Sequence, residues 1–193
     1  MSDEIHSDLV FEGREHIPFA SLGSDFQMKS ITCSSPSKTF NLAGIQTAYL
    51  ICPDPNLKKQ VEQTLQIHGI LFLNSFASDA LIAAYNEGEE WMEELKTYLF
   101  GNYQYLRGFV EEHFPYLKVT PLEATYLIWI DVSALQRSAK EITSALLKEQ
   151  QLWINPGTMY GANGEGFVRI NIACPRELLV DGLERLRSAG FWF

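Results

Sequence analysis

The chain has 193 residues, 46% of them hydrophobic and 20% charged, with a formal net charge of −9 at pH 7. That is enough apolar material for one substantial domain or two small ones, and it excludes a globally disordered polymer. The acidic balance lacks the basic footprint of a nucleic-acid binder, and Cys33, Cys52 and Cys174 form no CxxC pair, so neither a disulfide framework nor a metal site is expected.

The opening MSDEIHSDLV has no basic n-region and no apolar h-region, and no later window approaches the roughly 20 apolar residues of a membrane span. The cytoplasm is therefore the expected compartment. Gly13, Pro18, Gly23 and Ser24 punctuate the next stretch, which reads as loops around a short helix at Phe19–Leu22. Met28 to Cys33 reads as a strand, and the apolar run Thr47 to Cys52, ended by Pro53, as a buried one. Asp54-Pro55 is a helix start, and Leu57, Val61 and Leu65 recur at i, i+4, i+8 to give it one apolar stripe. Ser75 or Ser78 is expected to cap a helix over Asp79–Asn86, stopped by Gly88. A long amphipathic helix follows, with Trp91, Leu95, Tyr98, Leu99, Leu106 and Phe109 on one side and Pro115 beyond its end. Tyr126–Ile130 reads as a strand, Lys140–Gln150 as a helix, Phe167–Ile172 as a strand and Arg176–Ser188 as the last helix. The alternation points to an α/β or mixed α+β class, with a boundary near Gly88.

Lys38 is the one charged side chain between Lys29 and Asp54, set in the Ser-, Pro- and Gly-rich segment Ser34 to Gly44 between two apolar runs. An amine in an apolar or partly buried site loses pKa and becomes a usable nucleophile for a carbonyl. The hydroxyls of Ser35 and Ser37, with turn amides, suit a phosphate. Elsewhere the acidic run Glu87–Glu94 reads as a solvated helix face, and His68 and His113 have no partners at metal-ligand spacing.

Ser35-Pro36-Ser37-Lys38-Thr39-Phe40-Asn41-Leu42-Ala43-Gly44 resembles the S-x-S-K-x-F-x-x-x-G signature around the cofactor lysine of class I/II aminotransferase-like enzymes. Ser2-Asp3-Glu4-Ile5-His6 resembles their SDEIY segment, and Gly166 to Asn171 resembles their G-x-x-R strand. The variants DEIH, His16 to Leu22 and SPSKTFNLAG look like the MalY/PatB group of carbon–sulfur β-lyases within that superfamily.

The resemblance implies the C-terminal portion of the α/β, aminotransferase-like fold of type I pyridoxal-phosphate (PLP) enzymes. A remnant of the large-domain sheet would span residues 1–88 and a small α+β C-terminal domain residues 89–193. It implies that Lys38 holds pyridoxal 5′-phosphate as a Schiff base and then acts as general base at the substrate α-carbon. Asp3 would pair with the protonated pyridine nitrogen, His6 would stand near the phenolic oxygen, Ser35 and Ser37 would serve the phosphate, and Arg169 would fork onto the α-carboxylate. Asn155-Pro156-Gly157 and Tyr160 resemble the substrate-side loop. Gln46 departs from the pattern, because many relatives place a phosphate-anchoring Arg there.

The implied activity is β-elimination on a cystathionine-type amino acid, with an aminotransferase or an inactive remnant or interaction module as alternatives. The implied partners are a small amino-acid substrate and a second copy of the chain in a homodimer; for the family's upstream half, a truncated reading frame, a split gene with a separately encoded N-terminal half, and one part of a two-chain protein all stay open. The family's upstream phosphate loop and ring-stacking aromatic residue have no counterpart in the sequence, so a truncated chain with little turnover of its own is expected.

Overall fold

The computed structural model describes residues 1–11, 13–70 and 72–189. The chain divides into two compact units, Met1–Lys96 and Thr97–Phe193.

The first unit is built on a three-stranded sheet of order β1-β2-β3, comprising β1 (Ser2–Asp3), β2 (Thr32–Ser34) and β3 (Tyr49–Ile51). β1 runs parallel to β2, with Asp3 opposite Cys33, and β3 runs antiparallel to β2, with Tyr49 opposite Ser34. The expected short helix at Phe19–Leu22 is present as a 3-10 turn. The expected strand over Met28–Cys33 is half wrong. Ser24–Met28 forms helix α1, with Asp25 in its first turn, and the chain then turns at Lys29 and Ser30, whose hydroxyl donates to the Gln27 carbonyl, before β2 begins.

Helix α2 (Pro36–Thr39) follows β2, so Lys38 sits on a helical turn and not on an open loop. Helix α3 (Pro55–Ile67) starts as the sequence predicts, with the Asp54 side chain accepting from the Asn56 amide at 2.8 Å. Helix α4 (Ala77–Glu87) is capped by neither Ser75 nor Ser78; Asn74 Oδ1 accepts from the Phe76 amide at 2.9 Å and organises the turn before it. Gly88 ends α4 with φ −91°, so no left-handed cap is formed. Glycine stands there for space, because a Cβ would collide with the Ala84 carbonyl oxygen and the Phe40 ring.

Helix α5 (Glu89–His113) begins at once and carries the chain into the second unit. Glu87, Glu89, Glu90, Glu93 and Glu94 are exposed, as a solvated face should be. The second unit holds a four-stranded antiparallel sheet of order β4-β5-β7-β6, from β4 (Lys118–Val119), β5 (Leu127–Asp131), β6 (Asn155–Pro156) and β7 (Phe167–Asn171). Helix α6 (Ala139–Gln150) opens with a capping box between Ser138 and Glu141 and packs against β6, β7 and helix α7 (Arg176–Ser188). β5 alternates as the period-two rule demands, with Ile128 and Ile130 buried on one face and Trp129 on the other.

Among the described residues the buried apolar side chains of the first unit are Leu9, Phe11, Pro36, Ala77 and Ala84, while the second unit supplies all the others, from Leu99 to Ala189. Asn102 is fully buried there. It donates to the carbonyls of Ile172 (2.9 Å) and Cys174 (3.0 Å) and accepts from Arg176 Nε (2.7 Å), so its carboxamide ties α5 to the turn between β7 and α7.

Candidate active site

In the first unit, the parallel pair β1 and β2 delivers its candidate residues at one end of the sheet. Asp3 closes β1, and Ser34 closes β2 just before Ser35, Ser37 and Lys38. The carboxyl ends of parallel strands are where open α/β sheets bind ligands.

Ser35 is buried and is the N-cap of α2, accepting from the Ser37 amide at 3.1 Å. Its own proton goes to the Thr47 carbonyl at 2.6 Å. This Ser35–Thr47 link ties α2 to the approach to β3, so the hydroxyl expected to face a phosphate is committed to the fold. The Ser37 side chain is half-buried. Lys38 is exposed, contrary to the apolar or partly buried setting the sequence suggests, and no hydrogen bond or ion pair joins its amine to the described residues. Thr39, next along, is fully buried.

Asp3 is exposed, and its Oδ1 accepts from the Ile5 amide at 3.2 Å, as in an Asx turn. His6 is half-buried in the turn that follows, where its carbonyl accepts from the Leu9 amide at 3.0 Å. Gln46, at the position of the departure noted above, is exposed and adopts a left-handed conformation with φ 54° at the end of a 3-10 turn.

Glu4 is the residue that sequence reasoning missed. It is buried between Asp3 and His6, and it accepts from Ser2 Oγ (2.9 Å), His16 Nε2 (3.0 Å) and the Phe19 amide (3.0 Å). Burial raises its pKa, but the hydrogen bonds from His16, Phe19 and Ser2 outweigh that and hold it below the ordinary value. Its side chain thus fastens the segment from His16 to Phe19 onto the end of β1. His16 and Phe19 lie too far along the chain for any spacing rule to reveal them.

In the second unit, Arg169 occupies the middle of β7, opposite Trp129 of β5 and Asn155 of β6. Its guanidinium lies 4.0 Å from the centroid of the Tyr160 ring. Tyr160 is held from two sides, by Asn155 Nδ2 donating to its hydroxyl at 3.0 Å and by the edge of Trp129 at 5.5 Å. Gly157 allows this turn to close: a Cβ there would strike the Gly164 carbonyl oxygen and the Trp129 ring. Arg169 is half-buried, and no carboxylate of the described residues pairs with it. A guanidinium stacked on a ring keeps its in-plane N–H edges for a planar anion, and a carboxylate matches that fork. A cavity of about 180 Å³ beside it is lined by Leu152, Trp153, Asn155, Cys174 and Leu178 with Arg169 itself. His68 is exposed at the end of α3, and the His113 ring packs on Phe109 at 4.4 Å. No cluster of three or more metal-ligating side chains, and no helix long and apolar enough to cross a membrane, occurs among the described residues.

The same segments recur in known proteins. The chain is 44% identical over 189 residues to cystathionine beta-lyase PatB of Bacillus subtilis, covering 98% of this chain and 49% of that protein. It is 33% identical over 191 residues to the protein MalY of Escherichia coli, covering 98% of this chain and 48% of MalY. The crystal structure of cystalysin from Treponema denticola, which contains a pyridoxal 5′-phosphate cofactor, superposes with a TM-score of 0.93 at 32% identity, over 97% of this chain and 48% of cystalysin. The chain thus spans about half the length of the relatives it matches, consistent with a C-terminal half. The family model for aminotransferase class I and II matches residues 1–186, and the chain belongs to that family, with the α/β fold of the fold-type I pyridoxal-phosphate enzymes.

Proposed function

We propose that the chain supplies the lysine-bearing part of a pyridoxal-phosphate-dependent carbon–sulfur β-lyase, which cleaves a cystathionine-type amino acid to a thiol, pyruvate and ammonia. The observation that carries the reading is Lys38: an exposed amine, engaged by none of the described residues, on a short helix whose flanking side chains are fastened, at the carboxyl end of the parallel pair that also presents Asp3.

The donor set fits the cofactor. Lys38 offers an amine to its aldehyde, Asp3 a carboxylate to a protonated ring nitrogen, and Ser37 a hydroxyl to its phosphate. His6 is assigned to the neighbourhood of the phenolic oxygen. Ser35 is assigned the part of cap, since a phosphate contact would break its bond to Thr47. Gln46 can hydrogen-bond a phosphate but not neutralise it. Pyridoxal phosphate, when bound, supplies an electron-accepting ring that acidifies the substrate α-hydrogen.

Lys38 takes the α-proton. Arg169, steadied by Tyr160, holds the α-carboxylate by two parallel N–H bonds. The sulfur leaves with the C–S bonding pair and a proton, and one water completes the release of pyruvate and ammonia. The family's description supports amino transfer as a second reading. Pyruvate released without any 2-oxo acid acceptor marks the lyase; a strict need for the acceptor marks the transferase.

The isolated chain is expected to turn over slowly, because it covers about half of its relatives. The assigned partner is a second copy of the chain, and the assigned compartment is the cytoplasm. The deciding experiment treats the purified chain with pyridoxal phosphate and borohydride and maps the label by peptide mass spectrometry. Label at Lys38 alone, lost in Lys38→Ala, supports the reading; label scattered over surface lysines removes it.

A further inference from the structure

Helix α2 has four residues, far too few to hold itself together, so outside contacts decide where Lys38 points. Its N-terminal end is fixed by Ser35, which caps the Ser37 amide and bonds the Thr47 carbonyl. Its C-terminal end is fixed by two contacts that the roles above leave unused. Thr39, with no exposed surface, donates its hydroxyl proton to Asp8 Oδ2 at 2.8 Å. Phe40 packs edge-on against Tyr85 at 5.6 Å and lies tilted by 30° against Trp91 at 5.9 Å.

Asp8 lies in the same turn as His6, a few residues beyond Asp3. The Thr39–Asp8 bond therefore joins the segment that presents Asp3 and His6 to the residue that follows Lys38. A hydroxyl given to a carboxylate in a buried place is a charge-assisted bond, and losing its donor leaves a half-buried charge short of a partner.

We infer that Asp8 is a positioning residue for Lys38, acting through the buried Thr39 hydroxyl to fix α2 and hence the direction of the amine. The inference rests on the reading of Lys38 as the cofactor-bearing lysine.

The test uses the full chain as wild type, Thr39→Val, Thr39→Ser and Asp8→Asn. Each protein receives pyridoxal phosphate and borohydride, and separately trace acetic anhydride. Label at Lys38 is read against the exposed Lys58 and Lys59 of α3 as internal standards. Thr39→Val, which keeps the shape and removes the donor, is expected to lower the Lys38 share of both labels about tenfold, the worth of one charge-assisted hydrogen bond. Thr39→Ser keeps the donor and is expected to restore the wild-type share, which loose packing alone would not do. Should Thr39→Val lose its far-ultraviolet circular dichroism, Asp8→Asn decides, with a smaller fall in the Lys38 share expected because its amide oxygen still accepts. Selective wild-type labelling with unchanged shares in the folded variants overturns the positioning role and leaves the cofactor reading intact. Wild-type label scattered over the lysines overturns the cofactor reading and the inference with it.

Discussion

Helices α3 and α6 are near twins in local chemistry and opposites in burial. Each opens on a side-chain cap, Asp54 for one and Ser138 for the other, and each carries a spaced apolar stripe. Yet α6 buries Ala139, Ile142, Thr143 and Leu146, while α3 buries nothing, and its Leu57, Val61 and Leu65 are only half-covered. The contrast extends to the surface of the first unit, where Ile67, Ile70, Phe72 and Phe76 are 82%, 63%, 94% and 70% exposed. Caps and periodicity state which residues turn and which side is greasy. They do not state what covers that side, and in this molecule one set of signals serves a closed core and an open face alike.

The contrast can be broken or sharpened by substitution. The largest effect is expected from Asn102→Leu, which strips partners from two carbonyls and from the Arg176 guanidinium; it should destabilise the second unit by roughly 4 kcal/mol in urea unfolding followed by hydrogen exchange. Ile142→Ala in α6 should cost about 3 kcal/mol by the same measurement, the usual loss for a fully buried side chain. Ser35→Ala, which removes both a cap and the bond to Thr47, is expected to cost about 1.5 kcal/mol, seen as faster exchange of the Ser37 amide. Leu65→Ala in α3 should cost less than about 1 kcal/mol, since little is buried there to lose. A loss at Leu65 equal to that at Ile142 would erase the distinction between the units.

Acid provides the mildest test. The folded Glu4 pKa lies below its unfolded value, so its contribution is complete above the unfolded value and fades as pH falls through the lower folded one. Protection of the Phe19 amide should therefore persist at neutral pH and decline below about pH 4, and Glu4→Gln should flatten that acid limb.

The sequence carries the helices of this chain well, because caps and apolar spacing act within a few residues. It misses α1, because the segment from Met28 to Cys33 reads as a strand while the Ser24-Asp25 start ahead of it goes unweighed. It misses β1, β4 and β6, whose two residues each are strands only by virtue of their neighbours. Around Lys38 the motif shows which residues matter but not how they are disposed. Ser35 meets Thr47 because of the β2–β3 register, Thr39 meets Asp8 across the sheet order, and Glu4 is buried by a segment that begins well beyond it. Such contacts depend on tertiary pairing, to which local spacing is blind. Arg169 is easier to place: strand alternation sets its face, and cross-strand pairing then puts Trp129 and Asn155 beside it.

The collision that keeps Gly88 a glycine has a bearing on how the chain can change over generations. The space a side chain would need at position 88 is already filled by the ring at position 40, two residues past Lys38. A methyl at 88 would still meet the Ala84 carbonyl oxygen if the ring were trimmed, and a smaller residue at 40 loosens the helix that bears the lysine. In a pairwise mutational library, changes at 88 should stay depleted whatever residue stands at 40.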